Sequence, residues 1–190
     1  MTKKKYYIKL SACLVKLEME MLDRNNTGLI VMDMQGKLAH LVNDSELMFH
    51  NVSKLIRGCT LLGLPILVLE QNPEKLGKTA PEIQSLLANY PCIKKHDFNA
   101  CADPHFVEKI TNAAVENWLI CGIEAHVCVY QTAMGLQQMG KSVELVVDCI
   151  SSRQDKNKHL AVNKLKNKDV GITSAEMCLF ELIGNCNDAN

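Results

Sequence analysis

Residues 28–33 read GLIVMD, an unbroken apolar run that ends in an aspartate. Three similar runs follow along the chain: PILVLE at 65–70, ENWLICG at 116–122 and VELVVD at 143–148. Continuous apolar runs of this length are typical of strands buried on both faces of a parallel sheet. Two weaker strand candidates, Cys92–Lys95 and Gly171–Thr173, bring the predicted sheet to six strands.

Helical patterns occupy the segments between these runs. Asp44–Leu62 and Ala125–Met139 carry apolar residues at spacings of three and four. Ser45 is a candidate cap for the first helix, and Gly63 and Gly140 are placed to end the two helices. The alternation predicts an α/β fold, namely a three-layer, doubly wound, mostly parallel six-stranded sheet with helices on both faces and a Rossmann-like strand order.

The composition limits the class of protein. A chain of 190 residues suits one domain rather than two. With 21 basic and 21 acidic side chains the chain has no net charge to attract nucleic acid or anionic membrane. We therefore expect neither of those partners, and instead a small-molecule substrate or another protein. No apolar run reaches the roughly 18 residues that span a bilayer. The nine cysteines lie largely in apolar runs without a CxxC pair, which indicates free thiols in a reducing, cytoplasmic compartment.

The N-terminal segment MTKKKYYIKLSACLVKLEMEML is basic at first and amphipathic afterwards. A mitochondrial presequence is one interpretation, but lysine in place of arginine and the acids Glu18 and Glu20 count against it. We expect an extra helix on the domain or on a neighbouring subunit, and Leu14–Leu22 would suit a contact in a dimer or larger oligomer. The expected division is an N-terminal helix, one domain and a short tail, at residues 1–24, 25–186 and 187–190.

A doubly wound sheet binds ligands at the carboxyl ends of its strands. The residues that follow the apolar runs at that edge are Asp33–Gln35, Glu70–Pro73, Lys94–Asn99, Ile123–Cys128 and Asp148–Arg153. This arrangement places a carboxylate, a lysine and a cysteine at one edge of the predicted sheet, namely Asp33, Lys95 and Cys128.

Each of these three side chains has a reactive and a structural interpretation. Cys128 would lie in the first turn of a helix, where unpaired N–H groups and the helix dipole favour a thiolate, but a core cysteine is the alternative. Asp33 would be desolvated at its strand end, which raises its pKa and suits it to accept a thiol proton, or it could cap a backbone N–H in a loop. Lys95 could hold both groups by charge, or it could be a solvated lysine beside Lys94.

Longer motifs favour the reactive interpretation. Asp33-Met34-Gln35 after an apolar strand, Lys95 followed by Phe98, and GIEAHVC at 122–128 resemble the three signature segments of isochorismatase-like cysteine hydrolases. The resemblance extends through LEQNP and LG at 69–77, VVD and SSR at 146–153, and TSAE at 173–176. It covers roughly residues 28–184 and is strongest to the isochorismatase domain-containing proteins.

The resemblance implies an isochorismatase-like hydrolase in which Asp33 is the base, Lys95 the electrostatic partner and Cys128 the nucleophile. It also implies a cis peptide between Ile123 and Glu124, with the N–H groups of Glu124 and Cys128 as an oxyanion hole. The implied substrate is a small amide or related C–N compound, cleaved through a thioester intermediate. A catalytically weak binding or scaffolding protein is the alternative. A dinucleotide-binding protein is disfavoured because no G-x-G-x-x-G follows a predicted strand.

The chain departs from the family pattern at several positions. Nicotinamidases of the superfamily hold a metal through an Asp-x-His pair and a further histidine beyond the second strand, whereas this chain has Glu70-Gln71-Asn72-Pro73 there. We therefore predict neither a metal nor a cofactor. Asn99 and Gly36-Lys37-Leu38 also replace the residues usual at their positions, so the identity of the substrate does not carry over from the family.

Several other side chains near this edge are candidates for substrate contact: Gln35, Glu70, Gln71, Phe98 and His126. For Glu70 a cap on the following loop is an equal alternative, and for His126 a supporting or surface position. We expect Arg153 to tether a loop or a subunit contact, with substrate contact as the alternative. Trp118 is expected to be a packing anchor of its strand.

Overall fold

The computed structural model describes residues 21–187. Residues 1–20, which make up most of the predicted N-terminal helix, lie outside the described residues. Residues 21–24 are not helical. The predicted tail is described only at its first residue, Asn187, so the expected domain division stays a prediction.

The described chain forms a sheet of six strands, all of them paired in parallel. The strands are β1 (Thr27–Met32), β2 (Ile66–Gln71), β3 (Cys92–Lys95), β4 (Asn117–Ile123), β5 (Ser142–Ser151) and β6 (Gly171–Thr173). Their order, β3-β2-β1-β4-β5-β6, reverses direction between β1 and β4, which is the switch point of a doubly wound sheet. The predicted fold class is confirmed.

Helices cover both faces of the sheet. They are α1 (Gly36–Leu41), α2 (Ser45–Leu61), α3 (Pro73–Leu76), α4 (Pro81–Leu87), α5 (Pro104–Asn112), α6 (Tyr130–Gln138), α7 (Asp155–Lys166) and α8 (Ala175–Ile183). One core layer packs the sheet against α1, α2, α4 and α8, and the other packs it against α5, α6 and α7. Within residues 21–187, no helix combines the length and the apolar character needed to cross a membrane.

The apolar runs supply both core layers because successive strand residues point to opposite faces. Along β1, Leu29 and Val31 enter the first layer, while Ile30 and Met32 enter the second. Trp118 on β4 is fully buried, as expected for a packing anchor. Its ring fills the space over Gly28, where an added Cβ would lie 2.6 Å from a ring carbon.

The predicted element ends are close to the observed ones, with two corrections. The first predicted helix is confirmed as α2, but Ser45 is its first helical residue and no side chain caps it. Asp44 occupies the cap position with a left-handed main chain. The second predicted helix begins at Ala125 as expected, but its first turn, Ala125–Val129, is a π turn that precedes α6. Such turns are rare and occur often at functional sites.

Candidate active site

Asp33 lies directly after β1, at the carboxyl edge of the sheet. Its main chain is left-handed, with φ of 52°, and its N–H donates to the Leu69 carbonyl at 3.0 Å. The turn aims a buried carboxylate along the edge toward β2 and β3. One carboxylate oxygen, Oδ2, accepts a hydrogen bond from Lys95 at 2.8 Å, whereas Oδ1 is buried without a hydrogen-bond donor at normal distance.

Lys95 is the last residue of β3, and its side chain is completely buried. Its ammonium donates to Asp33 Oδ2 at 2.8 Å, to Gln71 Oε1 at 2.6 Å and to the Asp97 carbonyl at 3.3 Å. All three N–H bonds of the ammonium therefore have an acceptor. Lys95 is a fixed buried cation, in contrast to the adjacent Lys94, whose side chain is exposed.

Cys128 lies in the π turn that follows β4 and is buried. Its Sγ is 4.0 Å from Gln71 Oε1, the oxygen that also accepts from Lys95. The thiol is close enough to Asp33 and Lys95 for both charges to act on its pKa. The carboxylate, the ammonium and the sulfur, which are far apart in the sequence, thus form one buried cluster at the carboxyl edge of the sheet.

Burial and charge set the pKa values of Asp33 and Cys128. Burial raises the pKa of Asp33, as the sequence predicts, although the Lys95 charge opposes the rise. Burial also raises the pKa of Cys128 to about 12, and the Asp33 charge adds to the rise while Lys95 opposes it. This direction opposes the thiolate that the first-turn position of Cys128 favours. Desolvation and the neighbouring Asp33 charge both oppose the effect expected of the helix N-terminus, and Lys95 is the nearby charge that favours the thiolate.

The backbone that leads into the π turn is tightly constrained. Gly122 has φ of +116°, and an added Cβ would lie 2.0 Å from the Met32 carbonyl oxygen, so only glycine fits between β1 and the turn. The Ile123–Glu124 peptide bond is cis. Glu124 accepts hydrogen bonds from the Arg153 N–H at 3.1 Å and from Arg153 Nε and Nη2 at 3.0 and 3.2 Å. Arg153 thus tethers the loop before Cys128. This geometry favours the loop tether over the alternative, a substrate contact.

Comparisons with known proteins now identify the family. Residues 27–177 match the isochorismatase domain. The chain belongs to the isochorismatase family. The match begins at the first residue of β1 and reaches into α8, so it spans every strand of the sheet.

Relatives of this isochorismatase domain cover most of its length. The secreted isochorismatase effector Isc1 of Phytophthora sojae is 31% identical over 170 residues, which are 87% of this chain and 79% of the relative. Isochorismatase domain-containing protein 2 of Danio rerio is 26% identical and covers 89% of this chain and 85% of its own length. A solved structure, the MAR1 ribonuclease from Caenorhabditis elegans, is 32% identical with a TM-score of 0.83, over 90% of this chain and 88% of that chain.

Two of the predicted substrate-contact residues, Glu70 and Gln35, make hydrogen bonds within the isochorismatase domain. The Glu70 carboxylate accepts from the N–H and the hydroxyl of Thr79, at 2.7 and 2.8 Å. This geometry favours the alternative, a cap on the loop after β2. The Gln35 side chain is buried and bonds to the main chain of Gln71 and to the Gly77 carbonyl. Glu70 Oε1 and the Gln35 amide therefore already have hydrogen-bond partners within the fold.

The remaining candidates for substrate contact differ in exposure. Phe98 is 53% exposed and follows Lys95 by three residues, so its ring is available at the surface. His126 is half-buried, with Nδ1 2.9 Å from the Ser152 hydroxyl and Nε2 3.5 Å from the Asn157 amide. These bonds give His126 a supporting position on the turn that carries Cys128. Gln71 is buried and contacts Lys95 directly.

The segment at the end of β2, where nicotinamidases would place metal ligands by resemblance, makes hydrogen bonds within the fold here. In this chain, the corresponding segment includes Gln71. Its side chain hydrogen-bonds to Lys95 Nζ and to the His96 carbonyl. Within the described part of the chain, no group of three or more His, Cys, Asp or Glu side chains is arranged to hold a metal ion. The absence of a metal from the working protein stays a prediction.

One contact near the site was not anticipated from the sequence. The Thr132 hydroxyl accepts from the Ala100 N–H at 3.0 Å and lies 3.4 Å from the Phe98 carbonyl. Thr132 lies four residues after Cys128, one helical turn away, and is fully buried. It therefore joins the loop after Lys95 to the helix after the cysteine. The spacing of four was a usable signal, but a threonine in an apolar helix face is more often simply packed.

Proposed function

We propose that this isochorismatase-family chain is a hydrolase that cleaves a small amide or related C–N compound, with Cys128 as the nucleophile. The observation that carries the proposal is the buried ion pair between Lys95 and Asp33 beside the Cys128 thiol. A neutral thiol next to a carboxylate of raised pKa is a nucleophile with its base already in place.

The buried pair also argues against the scaffolding alternative. Moving two charges out of water costs several kcal/mol per ion, and well-packed apolar side chains at such positions are often as stable or more stable. Both charged groups here are almost completely buried, with 0% and 4% of their side chains exposed. A protein that only binds a partner through its surface would gain little from this arrangement, whereas a hydrolase needs it.

In the first half of the proposed reaction, the Asp33 carboxylate takes the proton from Cys128 Sγ. The sulfur then forms a bond to the substrate carbonyl carbon, and the carbonyl π electrons move to oxygen. Lys95 stabilises the developing thiolate because its ammonium stays beside both groups. The oxyanion would accept hydrogen bonds from the N–H groups of Glu124 and Cys128.

In the second half, the tetrahedral intermediate collapses and the C–N bond breaks. The proton held by Asp33 passes to the leaving nitrogen, so an amine departs and a Cys128 thioester remains. Asp33, again a carboxylate, removes a proton from water as the water attacks the thioester carbon. The C–S bond then breaks, the acid is released, and Asp33 returns the proton to the sulfur. No cofactor takes part in these steps.

A second candidate function comes from the 32%-identical solved structure, which is described as a ribonuclease. Its high structural similarity makes RNA a substrate to test. The charge of this chain favours a small molecule instead, because 21 basic and 21 acidic residues give it no net attraction for a polyanion. An RNA substrate would require a local basic surface at the mouth of the site.

We also propose that the chain forms a homo-oligomer. Met177 and Phe180 lie one turn apart on α8 and are 61% and 69% exposed. Large apolar side chains at neighbouring exposed positions are typical of an interaction surface. Light scattering on the purified chain tests this part of the proposal, and a monomer at all accessible concentrations would contradict it.

A substrate screen tests the proposed activity. Small amides, carbamates and ureas are incubated with the wild-type chain and with Cys128→Ala, and the released amine or ammonia is measured. Hydrolysis by the wild type that Cys128→Ala lacks would support the proposal. A labelled RNA oligonucleotide in the same screen tests the second candidate, ribonuclease activity. RNA cleavage that persists in Cys128→Ala would not come from this site. Hydrolysis of no C–N compound would contradict the proposed function.

A further inference from the structure

Gln71 hydrogen-bonds to Lys95 and His96, and so connects the end of β2 with the end of β3 and the loop that follows it. It is the last residue of β2 and pairs in register with Lys95 on the neighbouring strand β3. Its Oε1 accepts from Lys95 Nζ at 2.6 Å, and its Nε2 donates to the His96 carbonyl at 2.6 Å. The ammonium can only donate and the carbonyl can only accept, so the orientation of the Gln71 amide is chemically determined.

A second glutamine, Gln35, hydrogen-bonds to the main chain of Gln71. Gln35 Oε1 accepts from the Gln71 N–H at 2.6 Å, and Gln35 Nε2 donates to the Gln71 carbonyl at 3.2 Å and to the Gly77 carbonyl at 2.6 Å. The main chain of Gln71 is thus fixed through both its N–H and its C=O. Two buried amides in series, one holding the backbone and one reaching the cation, determine where the Lys95 ammonium can lie.

We propose that Gln71 is a positioning residue that holds the Lys95 ammonium between the Asp33 carboxylate and the Cys128 thiol. The inference rests on the proposed function, in which Asp33 becomes a neutral acid when it takes the thiol proton. From that moment Asp33 attracts the ammonium less strongly. The carbonyl oxygens of Gln71 and Asp97 still accept from Lys95, so the cation stays beside the new thiolate.

The neutral charge of Gln71 is part of this role. Its Oε1 lies 4.0 Å from Cys128 Sγ, which is close enough for a charge at this position to act on the sulfur. A carboxylate in its place would also bind Lys95, but the site would then hold two anions and one cation. The second anion would raise the pKa of Cys128 further and oppose thiolate formation. An amide supplies the acceptor without that penalty.

The experiment measures alkylation of Cys128 by iodoacetamide, with peptide mass spectrometry as the readout, between about pH 6 and pH 10 where thiolate fractions change. Gln71→Glu adds the charge, Gln71→Met removes the acceptor without adding charge, and Gln84→Glu is a matched control on the exposed side of α4. We expect Gln71→Glu to slow labelling about tenfold, which corresponds to one unit of pKa. Gln71→Met should slow it by a smaller factor, and Gln84→Glu should match the wild type.

Labelling of Gln71→Glu at the wild-type rate across the pH series would overturn the inference. If Gln71→Glu does not fold, as judged by circular dichroism, Gln71→Met decides, and wild-type labelling in that variant would overturn the inference equally. The assay uses no substrate. The labelling result therefore judges the role of Gln71 even if the substrate screen contradicts the proposed hydrolase function.

Discussion

Among residues 21–187, a carboxylate acts on a buried thiol on each face of the sheet. Asp33 acts on Cys128, and Asp148 acts on Cys149 and Cys178 in the core layer on the other face of the sheet. At all three cysteines burial is the largest cause of a raised pKa, and Cys128 and Cys178 both reach about 12. The thiol pKa alone therefore does not distinguish the candidate nucleophile.

The difference between the two places lies in what else the carboxylate touches. Asp33 binds the buried ammonium of Lys95. Asp148 Oδ1 instead accepts from the Ala175 N–H at 2.8 Å, at the start of α8, so its charge stabilises a helix end. Cys178 belongs to that helix and is completely buried on its core-facing side. In the proposed mechanism, Cys128 therefore differs from Cys149 and Cys178 by the nearby cation Lys95 and by its position at the sheet edge.

The largest expected effect separates the two groups of cysteines directly. Cys128→Ala should lower kcat/KM for a substrate found in the screen by about 10⁴-fold or more, because the nucleophile is lost. Cys178→Ala should keep wild-type kcat/KM per folded molecule, with some loss of thermal stability from the cavity. Steady-state kinetics on both variants make the measurement. Equal losses of kcat/KM in Cys128→Ala and Cys178→Ala would contradict the assignment of Cys128, rather than Cys178, as the nucleophile.

The base is tested by pH dependence. The reaction needs ionised Asp33, whose pKa is raised by burial, so kcat/KM should rise with pH through an acid limb that lies above the ordinary aspartate value of 3.8. Asp33→Asn should lower kcat/KM by about 10³-fold and abolish that limb. Asp148→Asn is the matched control and should leave the limb in place. An acid limb that survives in Asp33→Asn would assign the base to another group.

Lysine 95 and its exposed neighbour provide a third test. Lys95→Met leaves Asp33 buried without its cation, so we expect about 100-fold lower kcat/KM and a free energy of unfolding lower by about 3 kcal/mol. Lys94→Met should change either quantity little, because Lys94 is exposed. Urea unfolding and steady-state kinetics provide the two measurements. A larger loss of kcat/KM and stability in Lys94→Met than in Lys95→Met would contradict the role assigned to Lys95.

The smallest expected effect concerns the loop before the nucleophile. Burial alone would raise the pKa of Glu124, but the hydrogen bonds and charge of Arg153 outweigh it and lower the pKa. The Arg153 side chain is 60% exposed, so the pair should contribute little to stability. We expect Arg153→Ala to lower kcat about threefold to tenfold through a loosened turn, while Lys156→Ala has no effect. Unchanged kcat in Arg153→Ala would make the tether purely structural.

The sequence predicts the fold, and the meeting of Asp33, Lys95 and Cys128 at one sheet edge, for a simple physical reason. Apolar runs locate the strands, and a doubly wound sheet brings the strand ends together at one edge. Asp33 and Lys95 could be placed there because each ends such a run or follows it directly. The choice of Cys128 among nine cysteines required the longer motif, since Cys149 and Cys178 also lie in or near apolar segments.

Other features of the site do not follow from sequence patterns. The charge state of Cys128 depends on the balance between burial, Asp33 and Lys95, and that balance depends on distances. Gln35 and Gln71 are predicted substrate contacts, but the Gln35 amide bonds to the main chain of Gln71, and the Gln71 amide bonds to Lys95 and His96. Periodicity gives the face of a strand on which a residue lies. It does not give the hydrogen-bond partner that a long amide side chain selects at the strand end.

The central claim is that Cys128 becomes covalently attached to the acyl part of the substrate. Rapid acid quenching during turnover of a substrate from the screen, followed by peptide mass spectrometry, tests it most directly. We expect an acyl group on the peptide that contains Cys128, removable by hydroxylamine and absent in Asp33→Asn. Product formed at the wild-type rate with the acyl group on another residue, such as Cys149 or Cys178, would contradict it.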